Sequence, residues 1–353
     1  MTEMLDVRSG LQRTFGEYGE PGFAELWEVL QELPEVVDCH RLEHVQQLKR
    51  HVFRLEVANG AERHSVILKR LEPGVAQKNW LVADRWLPAL GLGDYCARVL
   101  GVAAIRRGDV VWHVYEDLGD ETLAGCLNAR SLRATVEVIA ELHTRAADHR
   151  VLPDVRRYAG HLGAPYFLAN VRDAIAALEA LADSTIVPPP EFADVPARLL
   201  GRLVSLRDDT SRRMRVFDAA AGPDTLLHGD LWPINIFVRE SAQGFRVRFV
   251  DWDKLGVGPF TYDLSTFLFR ISPAERPEIL NVYREAVGRT GWHLGTVQDL
   301  ELLFDTAERA RYANRVIWPA RALLDERAAW GFPELAEVER WFEALDSSAR
   351  LRD

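Results

Sequence analysis

The sequence predicts an α+β fold with a small antiparallel-sheet N-lobe and a large, mainly helical C-lobe. Three observations carry this reading. Strand-like alternation is concentrated before residue 116, and helical periodicity dominates after it. A single strand-rich island, TLLHGDLWPINIFVRESAQGFRVRFVDWDKLG, interrupts the helices. The chain has 353 residues, enough to bury a sizeable core in each of two units.

Taken in order, Gly22 to Leu33 places Phe23, Leu26, Trp27 and Leu30 on one helical face, and Pro34 ends the run. HVQQLKR is read as a glycine-free loop between the first two strands. Val52 to Val57 alternates, Asn59-Gly60 signals a hairpin, and His64 to Leu71 is strand-like, with Lys69 near its end. Asn79 to Leu90 reads as a helix closed by Gly91 and Gly93. Val99–Ala104 and Asp109–Tyr115 form a second strand pair turning at Arg107-Gly108. Beyond EDLGDETL, Ser131 is placed as the cap of a helix lined by Leu132, Val136, Ile139 and Leu142. Further helices are expected over residues 165–184, 191–218, 277–290, 297–327 and 333–346. The expected division is an N-lobe over residues 1–116, a hinge over 117–123 and a C-lobe over 124–353.

Composition narrows the function classes. Lys plus Arg is 43 and Asp plus Glu is 53, a net charge of −10, which argues against nucleic acid as the partner and leans towards a neutral or cationic ligand. No apolar stretch approaches the ~20 residues of a membrane span, so no membrane association is expected. The opening MTEMLDVRSG shows no secretory pattern. Cys39, Cys96 and Cys126 form neither a zinc pattern nor a disulfide framework, which suits a reducing cytoplasm. Oligomeric state is not readable. Only four lysines occur, Lys49, Lys69, Lys78 and Lys254, so one embedded in a strand stands out.

The island carries the chemistry. His228-Gly229-Asp230 is followed by Asn235, then by a hairpin turning near Gln243-Gly244 and a strand ending in Asp251-Trp252-Asp253. Phosphoryl transfer needs a carboxylate beside the attacking hydroxyl and oxygen ligands that hold Mg²⁺ against a triphosphate. An Asp and an Asn five residues apart on a tight loop, with a second Asp from an adjacent hairpin, can supply that set.

HGDLWPINIF followed by FVDWDKLGVGPFTYDL resembles the aminoglycoside phosphotransferase and choline-kinase-like family, which has the protein-kinase-like fold. ILKR at 67–70, VYEDLGDETL at 114–123, AELH at 140–143 and GPFTYDLSTFL at 258–268 extend the resemblance over roughly residues 40–270. It implies ATP or GTP as donor, Mg²⁺, and a small-molecule hydroxyl as acceptor, bound in an interlobe cleft. Asp230 would be the catalytic base, Asn235 and Asp251 the Mg²⁺ ligands, and Lys69 the partner of the α- and β-phosphates. Glu116 to Leu118 would offer backbone hydrogen bonds to the purine. His228 and Asp263 would support the catalytic loop. The charge of −10 would suit a cationic acceptor such as an aminoglycoside or an amino-alcohol.

The chain departs from the pattern at two points. The helix expected to give Lys69 a glutamate offers Asn79 instead, with Asp84 its only acid, and no glycine-rich phosphate cover is visible. These departures motivate the alternative of a catalytically silent nucleotide- or ligand-binding protein. The retained Asp230, Asn235 and Asp251 oppose it. Asp253 is open between metal neighbour and loop brace, and Trp232 between substrate contact and packing. His143 reads as a core residue. No P-loop, H-E-x-x-H or G-x-S-x-G occurs, and Pro259 breaks a dinucleotide fingerprint at Gly256-Val257-Gly258.

Overall fold

The protein is described by a computed structural model over residues 6–242 and 244–348. Residues 1–5 of the opening segment, and Gln243 of the expected turn, lie outside the described residues. Two helices come first, α1 (Val7–Tyr18) and α2 (Phe23–Leu30), then strands β1 (Arg41–Lys49), β2 (Val52–Asn59) and β3 (Glu62–Leu71). Helix α3 (Pro73–Leu81) continues through a π-helical turn, Val82–Trp86, into the short α4 (Leu87–Ala89), and β4 (Val99–Ala104) and β5 (Val111–Glu116) follow. Five helices come next: α5 (Ala129–Ala146), α6 (Leu152–Ala159), α7 (Ala164–Ala182), α8 (Val195–Asp208) and α9 (Thr210–Ala220). The island supplies β6 (Asp224–Leu227), β7 (Ile236–Ser241), β8 (Gly244–Phe249) and β9 (Gly256–Pro259). The chain ends in α10 (Thr261–Leu268), α11 (Arg276–Gly288), α12 (Val297–Glu326) and α13 (Gly331–Ser348).

The chain forms two compact units, and their division differs from the expected one. The first holds the chain up to Leu127 together with Ile234–Asp253, and the second holds Asn128–Pro233 together with the chain from Lys254. The physical reason is main-chain pairing. The β7–β8 hairpin is tied to the first unit by Leu123 N–H to the Ile236 carbonyl (2.7 Å), by Val238 N–H to the Glu121 carbonyl (3.0 Å), and by a bridge between Cys96 and Phe249.

In the first unit the antiparallel sheet has the order β1-β2-β3-β5-β4. The register sets Lys69 opposite Val52 on one side and His113 on the other. Helix α1, absent from the sequence reading, buries Val7, Leu11 and Phe15 at helical spacing against Phe53 and Trp112. Asp6 caps it by accepting from Ser9 N–H at 3.0 Å. HVQQLK belongs to strand β1 rather than to a loop, and only Arg50 of HVQQLKR falls in the turn. Its residues are polar because β1 is an edge strand with a largely exposed burial pattern.

The second unit is mainly helical, with a core where α7, α8, α12 and α13 contribute Phe167, Leu199, Val316 and Phe342. Each such buried side chain contributes about 1.5–3 kcal/mol. Two expectations need correction. Asn128, not Ser131, caps α5; Ser131 completes a capping box from the third helical position. The single helix expected over 191–218 is two, because the chain breaks between Asp208 and Thr210. Among the described residues no helix is long and apolar enough to cross a membrane. The three cysteines are unbridged.

Candidate functional site

The residues singled out from the sequence fall in two places, one in each unit. In the second unit, β6 leads into His228-Gly229-Asp230. Asp263, at the start of α10, is fully buried and accepts both the His228 N–H (2.6 Å) and the Gly229 N–H (2.8 Å). A backbone carboxylate clamp of this kind fixes the loop immediately before Asp230. Gly229 is obligatory: its φ is +82°, and a Cβ there would lie 1.9 Å from the Lys254 carbonyl oxygen. The His228 ring turns back to accept from the Asp230 N–H at 3.3 Å. His143 is fully buried, 3.5 Å from Asp263, and shares a 2.9 Å hydrogen bond with the Tyr283 hydroxyl. Burial works to raise the Asp263 carboxyl, but His143, His228 and the Gly229 amide hold it below the ordinary value.

Beyond Asp230 the surroundings are basic and aromatic. The Arg270 guanidinium lies 4.3 Å over the half-exposed Trp232 ring and donates to the buried Glu308 at 2.9 Å. Arg311 pairs with the same Glu308 and lies 4.0 Å over Tyr262. Two arginines therefore share one carboxylate. In the tail, Trp341 packs on Tyr312, whereas Trp318 is 71% exposed.

In the first unit, Lys69, Asn235 and Asp251 line a pocket of about 350 Å³, with apolar walls that include Val52, Ile67 and Phe237. That volume is within the range of small-ligand sites. Glu116 and Leu118 also line it. The Glu116 carboxylate is occupied by the Arg98 N–H (2.8 Å) and by Arg248. Beside it, Arg54 of β2 binds Asp117 (2.7 Å), Asp120 (2.8 Å) and the Gly119 carbonyl (3.0 Å). Ser65 adds a 2.6 Å bond to Asp117, so Glu116 to Asp120 is pinned to the sheet.

Lys69 Nζ sits between two carboxylates, Asp251 at 2.7 Å and Asp253 at 2.9 Å. Burial opposes its charge, and the two aspartates outweigh that and raise its pKa. His113, opposite it in the sheet, is pushed down to about 4 by burial and by Lys69. Asp251 adopts φ +69°, a left-handed conformation that is costly for a non-glycine residue and is found at functional sites. Asn235 is buried, and its carbonyl accepts the Val250 N–H at 3.0 Å.

The donor set fits Mg²⁺. Asn235 and Asp251 offer hard oxygen donors to one pocket, and Lys69 has a second carboxylate partner in Asp253. Among the described residues no group of three His, Cys, Asp or Glu side chains could hold a metal by itself. A site completed by phosphate oxygens and water does not require one.

Several contributors escaped the sequence reading. The helix expected to start at Asn79 begins at Pro73, which turns Asn79 inward. Asn79 is 5% exposed, and its amide donates to Asp253 at 2.9 Å and to the Val75 carbonyl at 3.0 Å. Lys78 donates to the Asp253 carbonyl at 3.0 Å. Arg54 was detectable in principle, as a charge among the apolar residues of VFRLEV. The turn between β1 and β2, at Arg50-His51, contains no glycine. His51 takes the left-handed φ of +63° instead, and Glu20 (2.6 Å) and Arg70 (2.5 Å) hold its ring.

Comparison with known proteins identifies the family. A model of the phosphotransferase enzyme family matches residues 46–300, more than half of the chain. The chain belongs to this family. Among curated proteins none matches it in sequence. Among solved structures, the phosphotransferase resembles a spectinomycin phosphotransferase in complex with ADP and spectinomycin, with 12% identity, a TM-score of 0.60, and 89% of this chain and 93% of that one covered. It also resembles a Plasmodium vivax ethanolamine kinase, with 11% identity, a TM-score of 0.58, and 99% and 96% covered. A third is the GDP complex of an aminoglycoside 2'-phosphotransferase variant, with 15% identity, a TM-score of 0.54, and 88% and 94% covered. At these identities the likeness is one of fold. The phosphotransferase has the α+β, protein-kinase-like fold expected from its sequence.

Proposed function

We propose that the protein is a Mg²⁺-dependent phosphotransferase that moves the γ-phosphate of ATP or GTP to a hydroxyl of a small molecule. The observation that carries the reading is Lys69 held between Asp251 and Asp253, with Asn235 lining the same pocket. Asn235 and Asp251 would hold the metal, which supplies charge neutralisation at the phosphates. Lys69 binds the α- and β-phosphates, and the main chain at Glu116 to Leu118 binds the purine. Asp230 orients the acceptor hydroxyl and takes its proton as the oxygen attacks phosphorus. His228 and Asp263 hold Asp230 in place. A nucleotide donor and unbridged cysteines suit a cytoplasmic setting.

Two acceptor classes have separate support. The net charge of −10 favours a cationic amino-sugar or amino-alcohol. Arg270 over Trp232, two residues from Asp230, favours a neutral or anionic polyol instead. A mass-shift screen of both nucleotides against amino-sugars, amino-alcohols and sugar acids tests the reading and separates the classes. Nucleotide binding with no product from any acceptor would favour a silent binding protein.

A further inference from the structure

We propose that Asp253 and Asn79 together replace the missing helix glutamate, with Asp253 the positioning residue for Lys69 and Asn79 its brace. The inference rests on the reading of the pocket as a nucleotide site and specifies how its lysine is kept in place. A lysine that binds phosphates needs a carboxylate to hold its flexible stem in one rotamer. Lys69 has two, at 2.7 Å and 2.9 Å. Asp251 is the one assigned to the metal, so its oxygens are not available to Lys69 throughout. Asp253 is the partner that remains.

Three features fit Asp253 to that task. It lies in a 3-10 turn, Trp252–Lys254, directly after Asp251. The carboxylate oxygen that accepts from Lys69 also accepts from Asn79 Nδ2, at 2.9 Å. Its main-chain carbonyl accepts from Lys78, at 3.0 Å. Consecutive residues of α3 therefore tie down both its side chain and its backbone. The same contacts explain the departure seen in the sequence. An acid at position 79 would set a second negative charge against Asp253, whereas an amide donates to it. The carboxylate has moved from the helix to the loop, and the helix has taken the donor's part.

The test is nucleotide binding, read by fluorescence of a labelled ADP with Mg²⁺ and again in EDTA, beside the KM values for donor and acceptor. Losing one charge-assisted hydrogen bond to Lys69 should weaken ADP binding about tenfold or more. Asp253→Asn should show this loss both with Mg²⁺ and in EDTA, with donor KM raised and acceptor KM unchanged. Asn79→Asp should weaken binding comparably through repulsion. The double variant Asn79→Glu with Asp253→Asn returns a carboxylate to the helix and should recover most of the lost affinity. A loss confined to the Mg²⁺ condition would overturn the proposal by making Asp253 a metal ligand. Unchanged binding in both single variants would overturn it too, as would equal shifts in donor and acceptor KM. If Asp253→Asn does not fold, Asn79→Asp and Asn79→Ala carry the test. Failure of the wild-type chain to bind ADP in either condition would instead sink the nucleotide-site reading itself.

Discussion

The loop bearing Asp230 and the loop bearing Asp251 are held in opposite ways. The first is fixed by its backbone: two amides converge on Asp263, which is fully buried. The second is fixed by side-chain charges that reach solvent, Lys69 at 16% exposure and Asp251 at 32%. A backbone clamp in the interior has no competitor and holds one geometry. A largely buried ion pair can exchange one cation for another only if each charge keeps a partner, and Asp253 provides that partner for Lys69. The difference matches the tasks proposed for the two loops, because a general base must stay in place whereas a metal ligand must release one partner to take another.

The contrast can be broken by substitution. The largest effect is expected at Asp230. Asp230→Asn should lower turnover by about 10²–10⁴-fold with ADP affinity unchanged; full turnover in steady-state assays would remove Asp230 from its role. Next, Asp251→Ala should abolish the Mg²⁺-dependent part of nucleotide binding while leaving the melting temperature near that of the parent. Calorimetry with and without Mg²⁺ checks this. Asp263→Ala should do the reverse. It leaves two buried amides unsatisfied and should cost about 2–5 kcal/mol of stability, measured by urea unfolding.

The smallest effect sharpens the contrast through pH. His113, beside Lys69, has a folded value of about 4 against 6.5 when unperturbed. Between those values the unfolded chain takes up a proton that the folded chain does not. Stability therefore falls as pH drops from 6.5 towards 4, by at most about 1.4 kcal/mol per unit. His113→Phe should flatten the unfolding free energy across that window. Asp263 acts lower. Its depressed value means that its contribution is present above the ordinary carboxyl value of 3.8 and is lost as pH falls through the folded one. Asp263→Asn should flatten only that more acidic limb.

These two regions were unequally legible in the sequence. Asn235 and Asp251 sit on one contiguous island and line one pocket, and Lys69, which lines it too, stood out because lysines are scarce. Asp263 was legible through the motif that follows the island. Asn79 was not, because its partner Asp253 lies 174 residues away and no local pattern encodes the pair. The same limit hid the attachment of β7 and β8 to the first unit. Strand β1 was obscured by its polarity, which an edge position permits. Helix α1 was passed over, although Val7, Leu11 and Phe15 carry its period.

The turn at Arg50-His51 has a thermodynamic consequence. Glycine at such a turn would give the chain many conformations when no ligand is present, and a ligand would have to order them. His51, clamped between Glu20 and Arg70, has that ordering completed during folding. Its neighbours Lys49 and Val52 both line the pocket. Ligand binding there should carry a smaller entropic penalty than a glycine turn would impose, and loosening the clamp should appear first in the entropy of binding.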